Sequence, residues 1–259
     1  MLLYFEVHSF TDIVLHGNPA GVCPLEAWIE DSLMQKIAAS NNLSETAFFV
    51  PKDDHYELRW FTPKIEVDLC GHATLASAYV LFEHLDYEGE SIIFRTQSGD
   101  LSVRKSESSF VMDFPSRPAT QIDPPSHLKK GFSIQFENAY KSRDYLVVFD
   151  CEESVRNLRP NFAELEQLDC TGIIVTAPGD EVDFVSRFFA PQAGILEDPV
   201  TGSAHCTLAP YWADRLGKTD LSARQVSARG GEIACRVVDD RVLIGGRAVL
   251  YSKGFLNIE

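Results

Sequence analysis

The chain of 259 residues echoes itself at half its length. Residues 59–63 read Arg-Trp-Phe-Thr-Pro, and residues 187–191, 128 positions on, read Arg-Phe-Phe-Ala-Pro. Each copy leads through a short loop to a Gly that opens a helical stretch: Gly71-His72-Ala73 in the first half, Gly202-Ser203-Ala204 in the second. The second loop is three residues longer. The flanks agree. Asn42-Leu-Ser-Glu-Thr-Ala-Phe-Phe-Val50 reads as a turn entering a strand, and Cys170-Thr-Gly-Ile-Ile-Val-Thr176 holds the matching place. Before the first of these, Leu33, Met34, Ile37 and Ala38 share one helical face. Phe162 to Leu168 repeats that pattern more weakly. Two related halves follow, so we expect an N-terminal lobe over residues 1–115 and a C-terminal lobe over 116–259. Pro115, Pro118, Pro124 and Pro125 mark the seam. The last strand is free to return to the N-terminal lobe.

The stretch after each Gly sets the architecture. Ala73-Thr-Leu-Ala-Ser-Ala-Tyr-Val-Leu-Phe82 carries no charge on any face, and a helix apolar all round belongs inside a core. Ala204-His-Cys-Thr-Leu-Ala-Pro-Tyr-Trp212 is similar, with Pro210 expected to kink it. The surroundings are strand-like: 57–61, 91–96, 101–103, 110–114, 145–149, 184–189, 225–228, 232–238 and 241–244. Turn-linked neighbours of this kind pair antiparallel. The expected fold is α+β, with two pseudo-symmetric lobes, each a mostly antiparallel strand barrel around one apolar helix.

Charge and composition exclude several functions. Lys and Arg number 23 against 38 Asp and Glu, a net charge of −15, which repels nucleic acid and anionic membrane surfaces. The apolar runs are too short to span a bilayer. The N-terminal Met1-Leu-Leu-Tyr-Phe-Glu6 lacks the basic start of a signal peptide and reads as a strand. Six scattered cysteines form no CxxC pair and no Cys/His cluster at zinc spacing, so a cytoplasmic protein with reduced thiols and no metal is expected.

Chemistry is expected at the two helix starts. The first N–H groups of a helix lack intrahelical partners and lie at the positive end of its dipole. Two such starts could hold a substrate carboxylate, although Gly there could equally serve packing. His72 follows Gly71, and Glu197-Asp198 shortly precedes Gly202. Glu45, between Leu43 and Ala47-Phe48-Phe49, is either a solvated turn residue or a carboxylate in an apolar site, poised for proton transfer. His72 reads as an acid/base or a helix-cap residue, and Asp198 before Pro199 as a site residue or a turn former. Cys70 sits at the first helix start, but its counterpart Thr201 is no thiol, which disfavours a two-thiol shuttle. No GxSxG, Walker A, GxGxxG or HExxH element is present.

Five motifs carry a resemblance. Gly17-Asn-Pro-Ala-Gly-Val22, Asn42-Leu-Ser-Glu-Thr46, Phe61-Thr-Pro63, Cys70-Gly-His-Ala-Thr-Leu75 and Glu197-Asp-Pro-Val-Thr-Gly-Ser-Ala204 are similar, in order and spacing, to those of the PhzF family of phenazine-biosynthesis-like isomerases. The resemblance implies the diaminopimelate-epimerase-like fold, with its site between the lobes. It implies Glu45 as the acid/base that moves a proton on a small carboxylated substrate. His72, Asp198 and Ser203 would be the other catalytic groups. Asn18, Ser44, Gly71, Ala73, Gly202 and Ala204 would bind the substrate. It implies no metal, no organic cofactor and a homodimer. Two other readings stand beside this one. The chain could be a binding or interaction module that kept the cleft, or a two-base epimerase using Cys70 and Asp198.

Overall fold

The computed structural model describes residues 1–258, which divide into two compact units. The first holds Met1–Asp113 and the segment from Gly245, and the second holds Phe114–Ile244.

The first unit begins β1 (Leu2–Ser9), β2 (Asn18–Pro24), α1 (Asp31–Asn41), β3 (Glu45–Pro51), β4 (Tyr56–Phe61) and β5 (Glu66–Val67). Then come α2 (Gly71–His84), β6 (Ser91–Thr96), β7 (Gly99–Ser106) and β8 (Ser109–Pro115). Side chains alternate across a strand, and β8 shows it: Phe110, Met112 and Phe114 turn inward. Helix α1 ends on Asn42, left-handed at φ 51°, whose N–H caps the Ala38 carbonyl. Asparagine tolerates that backbone better than most residues, which accounts for it at the start of the Asn-Leu-Ser-Glu motif.

Helix α2 is the core of this unit. Residues Gly71–Ala78, Val80 and Leu81 are buried, and the helix packs against β1, β2, β3 and β7. Two hydroxyls inside it are satisfied locally. Thr74 Oγ1 donates to Cys70 O at 2.6 Å, and Ser77 Oγ to Ala73 O at 2.8 Å.

The second unit runs β9 (Thr120–Gln121), α3 (Ser126–Gly131), β10 (Asn138–Lys141), β11 (Tyr145–Val148), α4 (Glu152–Asn157) and α5 (Phe162–Leu165). It continues with β12 (Ile173–Pro178), β13 (Phe184–Ala190), β14 (Ile195–Asp198), α6 (His205–Leu216), β15 (Asp220–Gln225), β16 (Gly231–Val238) and β17 (Arg241–Gly246). The final strand β18 (Ala248–Leu256) pairs antiparallel with β1, so the chain ends in the unit where it began.

The two units share their pairing scheme. Antiparallel pairs predominate, and each unit has the same two parallel ones. These are β2 with β3 and β4 with β6 in the first, and β11 with β12 and β13 with β15 in the second. The repeated Arg-aromatic-Phe element explains part of the likeness. Arg59 forms a two-pronged ion pair with Glu66 at 2.7 and 2.7 Å and lies over the Phe61 ring. Arg187 does the same with Glu197, at 2.7 and 2.9 Å, and lies over Phe189. In both, the arginine of one strand holds the following strand.

Helix α6 differs from α2 and from its expected form. The helical stretch does not open as an α-helix at Gly202. A single 3₁₀ turn spans Gly202–Ala204, and α6 starts at His205. Residues 205–209 and Trp212 are buried, while the outer face carries Asp214 and Arg215. Trp212 stacks on Phe184 with 5.6 Å between ring centroids and donates to Thr176 Oγ1. Pro210 lies inside the helix. It has no N–H for the Cys206 carbonyl one turn back, and that carbonyl accepts from the Arg117 backbone instead, at 2.8 Å.

Two further expectations need correction. The strand expected at 225–228 lies at Asp220–Gln225, and the helix expected over 162–168 covers only Phe162–Leu165.

Candidate active site

Three elements of the first unit bring the candidate residues together. Asn18 opens β2, Glu45 opens β3, Cys70 immediately precedes α2, and His72 is the second residue of that helix. Parallel pairing sets Glu45 opposite Ala20. Gly17, just before Asn18, has φ +65°, and a Cβ there would lie 2.2 Å from the Ser9 carbonyl oxygen. Only glycine fits this turn, so the Gly-Asn-Pro order has a steric cause.

His72 is the hub. It is buried, and its two ring nitrogens face different partners. Asn18 Nδ2 donates to Nδ1 at 3.2 Å, so Nδ1 carries the lone pair and Nε2 the proton. Cys70 Sγ lies 3.5 Å from the same Nδ1. Nε2 faces Glu45 Oε2 at 3.2 Å, close but outside hydrogen-bond alignment. Ser9 Oγ donates to the His72 carbonyl at 2.8 Å and fixes the backbone. Burial holds the imidazole pKa well below its ordinary value, so the ring stays neutral near pH 7. The Glu45 side chain is 13% exposed, and its Oε2 is buried against His72. It is therefore not the freely solvated turn residue that the sequence also allowed.

No side chain caps α2, whose first N–H groups therefore lack such a partner. Gly71 and Ala73 supply that start and are buried, while Ser44 is half-buried in the turn before Glu45.

One oxygen of Glu45, Cys70 Sγ and one His72 ring nitrogen lie within 4.8 Å of one another. These are three donor types that suit a metal ion. Among the described residues no other group of three or more His, Cys, Asp or Glu meets that test.

The second unit arranges the matching segment differently. The adjacent carboxylates Glu197 and Asp198 point apart, as neighbours on a strand must. Glu197 serves the ion pair with Arg187. Asp198 accepts a short hydrogen bond from Thr201 Oγ1. Two residues that the sequence did not single out hold this loop. Gln225 Nε2 donates to Asp198 O at 2.7 Å, and its Oε1 accepts from Thr201 N at 2.8 Å. Ser227 Oγ donates to Pro199 O at 2.7 Å. Gly202 and Ala204 are buried and Ser203 half-buried on the 3₁₀ turn. Thr201 and Cys70 occupy the same capping position in their units.

The family described as phenazine biosynthesis-like protein, PhzC-PhzF, matches residues 7–254. The chain belongs to the PhzF family. Its relatives agree over their full lengths. An uncharacterized isomerase of Pseudomonas aeruginosa is 52% identical over 99% of both chains. The crystal structure of a PhzF-family phenazine biosynthesis protein from Enterococcus faecalis superposes with a TM-score of 0.97 at 48% identity, covering both chains completely. A probable proline racemase from Agrobacterium radiobacter has a TM-score of 0.68 at 9% identity over 100% of this chain and 94% of its own. That likeness shows the fold alone. Relatives of this PhzF protein in Pseudomonas aeruginosa and Halalkalibacterium halodurans are named isomerases.

Proposed function

We propose that the chain is a cofactor-independent isomerase that shifts a proton between carbons of a small carboxylated substrate, with Glu45 as general acid and base. One observation carries the reading. A carboxylate with limited solvent access faces the Nε2 proton of a buried neutral histidine at the uncapped start of an apolar helix. Removing a proton from carbon builds negative charge beside the substrate's carboxylate. Preorganised N–H donors stabilise such charge, and one donor of this kind is worth about 10²–10³ in rate. His72 steadies Glu45 and, through Asn18, keeps the tautomer that donates to it. Asp198 and Ser203 of the second unit are proposed as further catalytic groups on the same substrate. Asn18, Ser44, Gly71, Ala73, Gly202 and Ala204 are proposed as substrate-binding groups.

The same reading takes the protein as a cytoplasmic homodimer. Sedimentation mass tests the dimer: one chain mass overturns it. Among the described residues no helix is long and apolar enough to cross a membrane. The epimerase reading would pair Cys70 with Asp198, whose carboxylate accepts a hydrogen bond from Thr201 Oγ1, and loss of activity on thiol alkylation would favour it.

The test is isotope exchange. In deuterated water, NMR of small carboxylates incubated with the protein should show deuterium entering carbon. Glu45→Gln should cut that rate by about 10³–10⁴. Full exchange in Glu45→Gln removes Glu45 from the role.

A further inference from the structure

We infer that Cys70, His72 and Glu45 form a binding site for a thiophilic divalent ion of the zinc type. Nothing in the proton-shift reading calls for Cys70, and the inference does not depend on that reading.

The donor geometry points to this ion. Zinc takes a thiolate at about 2.3 Å and an imidazole nitrogen at about 2.1 Å, which at a tetrahedral angle places the two about 3.6 Å apart. Cys70 Sγ and His72 Nδ1 are 3.5 Å apart. A carboxylate oxygen of Glu45 lies within 4.8 Å of the sulfur and one ring nitrogen, and it now faces Nε2, so the side chain must swing toward the Nδ1 edge of the ring to reach a bond of about 2 Å. The chemistry agrees. Imidazole binds metal in its neutral form, and burial keeps His72 neutral. Sulfur with nitrogen selects zinc or cobalt over magnesium and calcium, which prefer oxygen. The amide of Asn18 at present donates to Nδ1 and must turn away, or present its oxygen, when the ion enters. The spacing of the sulfur and nitrogen donors is fixed by the backbone, because Cys70 and His72 stand two residues apart across the start of a buried helix.

Binding is a replacement of protons by metal. The thiol of Cys70 gives up its proton to solvent, the thiolate and the Nδ1 lone pair each donate a pair to the ion, and no electron changes hands. Affinity therefore rises with pH.

Cobalt(II) is the probe, because a cobalt–thiolate bond absorbs in the near ultraviolet. Titration of the intact protein should raise that band to a plateau at one equivalent, and zinc should abolish it by displacement. Cys70→Ser should lose the band and weaken zinc binding by about 100-fold or more, since even outer contacts of a metal site are worth about 10–100-fold. Glu45→Gln keeps every thiol and should keep the band while binding zinc about 10-fold or more weakly. Circular dichroism confirms that each variant is folded. A wild-type protein without the band overturns the site. So does a band that survives in folded Cys70→Ser, or one that vanishes in Cys151→Ser, the exposed thiol. Zinc affinity unchanged in Glu45→Gln removes the carboxylate from it. These readouts need no substrate, so they stand or fall apart from the isotope-exchange test.

Discussion

His205 lies fully buried at the first turn of α6, with Nδ1 3.0 Å from the Thr201 carbonyl. A carbonyl only accepts, so Nδ1 holds the proton, and buried Nε2 makes no hydrogen bond. Burial pushes its pKa down to about 4, against about 6.5 in an unfolded chain. As pH falls, the unfolded chain therefore takes up this proton first. Stability is whole above about pH 6.5 and is lost on acidification toward pH 4, by up to about 3 kcal/mol from this group. Burial of His72 acts in the same direction. Urea unfolding of His205→Gln should show a smaller loss between about pH 7 and about pH 4.5 than the parent. Parallel losses in the two proteins would show that His205 is not the titrating group.

At the scale of elements, the two Arg–Glu clamps invite comparison. Arg187 is the more enclosed, with a side chain 10% exposed against 22% for Arg59. It also donates to the Val155 and Leu158 carbonyls, both at 3.0 Å. Arg187→Ala strands a carboxylate and two carbonyls, and should cost about 3–5 kcal/mol. Arg59→Ala leaves groups that water reaches more easily and should cost about 1–2 kcal/mol. Denaturant midpoints measure both, and an equal or reversed order would deny that enclosure sets the difference. The repeated arginines were plain in the sequence, because a five-residue echo with matched flanks needs no tertiary information. Their acidic partners were not, since Glu66 and Glu197 sit on the next strand after loops of unequal length. The strand at Asp220–Gln225 was misplaced for a related reason. Its inward positions are Leu221, Ala223 and Gln225, and the last breaks the apolar alternation because it holds the Asp198–Thr201 loop. Glu45, His72, Asp198 and Ser203 were singled out through motif resemblance, and of these the structure sets Glu45 beside His72. The Asn18–His72 contact joins residues 54 apart, and no local pattern announces such a pair.

Across the whole molecule, the charge of −15 opposes the anion proposed as substrate. Salt shortens the reach of that repulsion from about 30 Å at 0.01 M to about 10 Å at 0.1 M. Turnover of a carboxylate substrate at low concentration should therefore speed up modestly, about two- to threefold, over that range. A rate that falls steadily with salt would mean that local positive groups dominate capture. The pairing of β18 with β1 reaches beyond the finished fold. During synthesis, β1 leaves the ribosome before the second unit, yet this partner is made only after the entire second unit. The second unit can fold while the first still waits with one edge of β1 uncovered. An unpaired edge invites other strands, so growing chains of this protein are most exposed to mispairing just before residues 248–256 emerge.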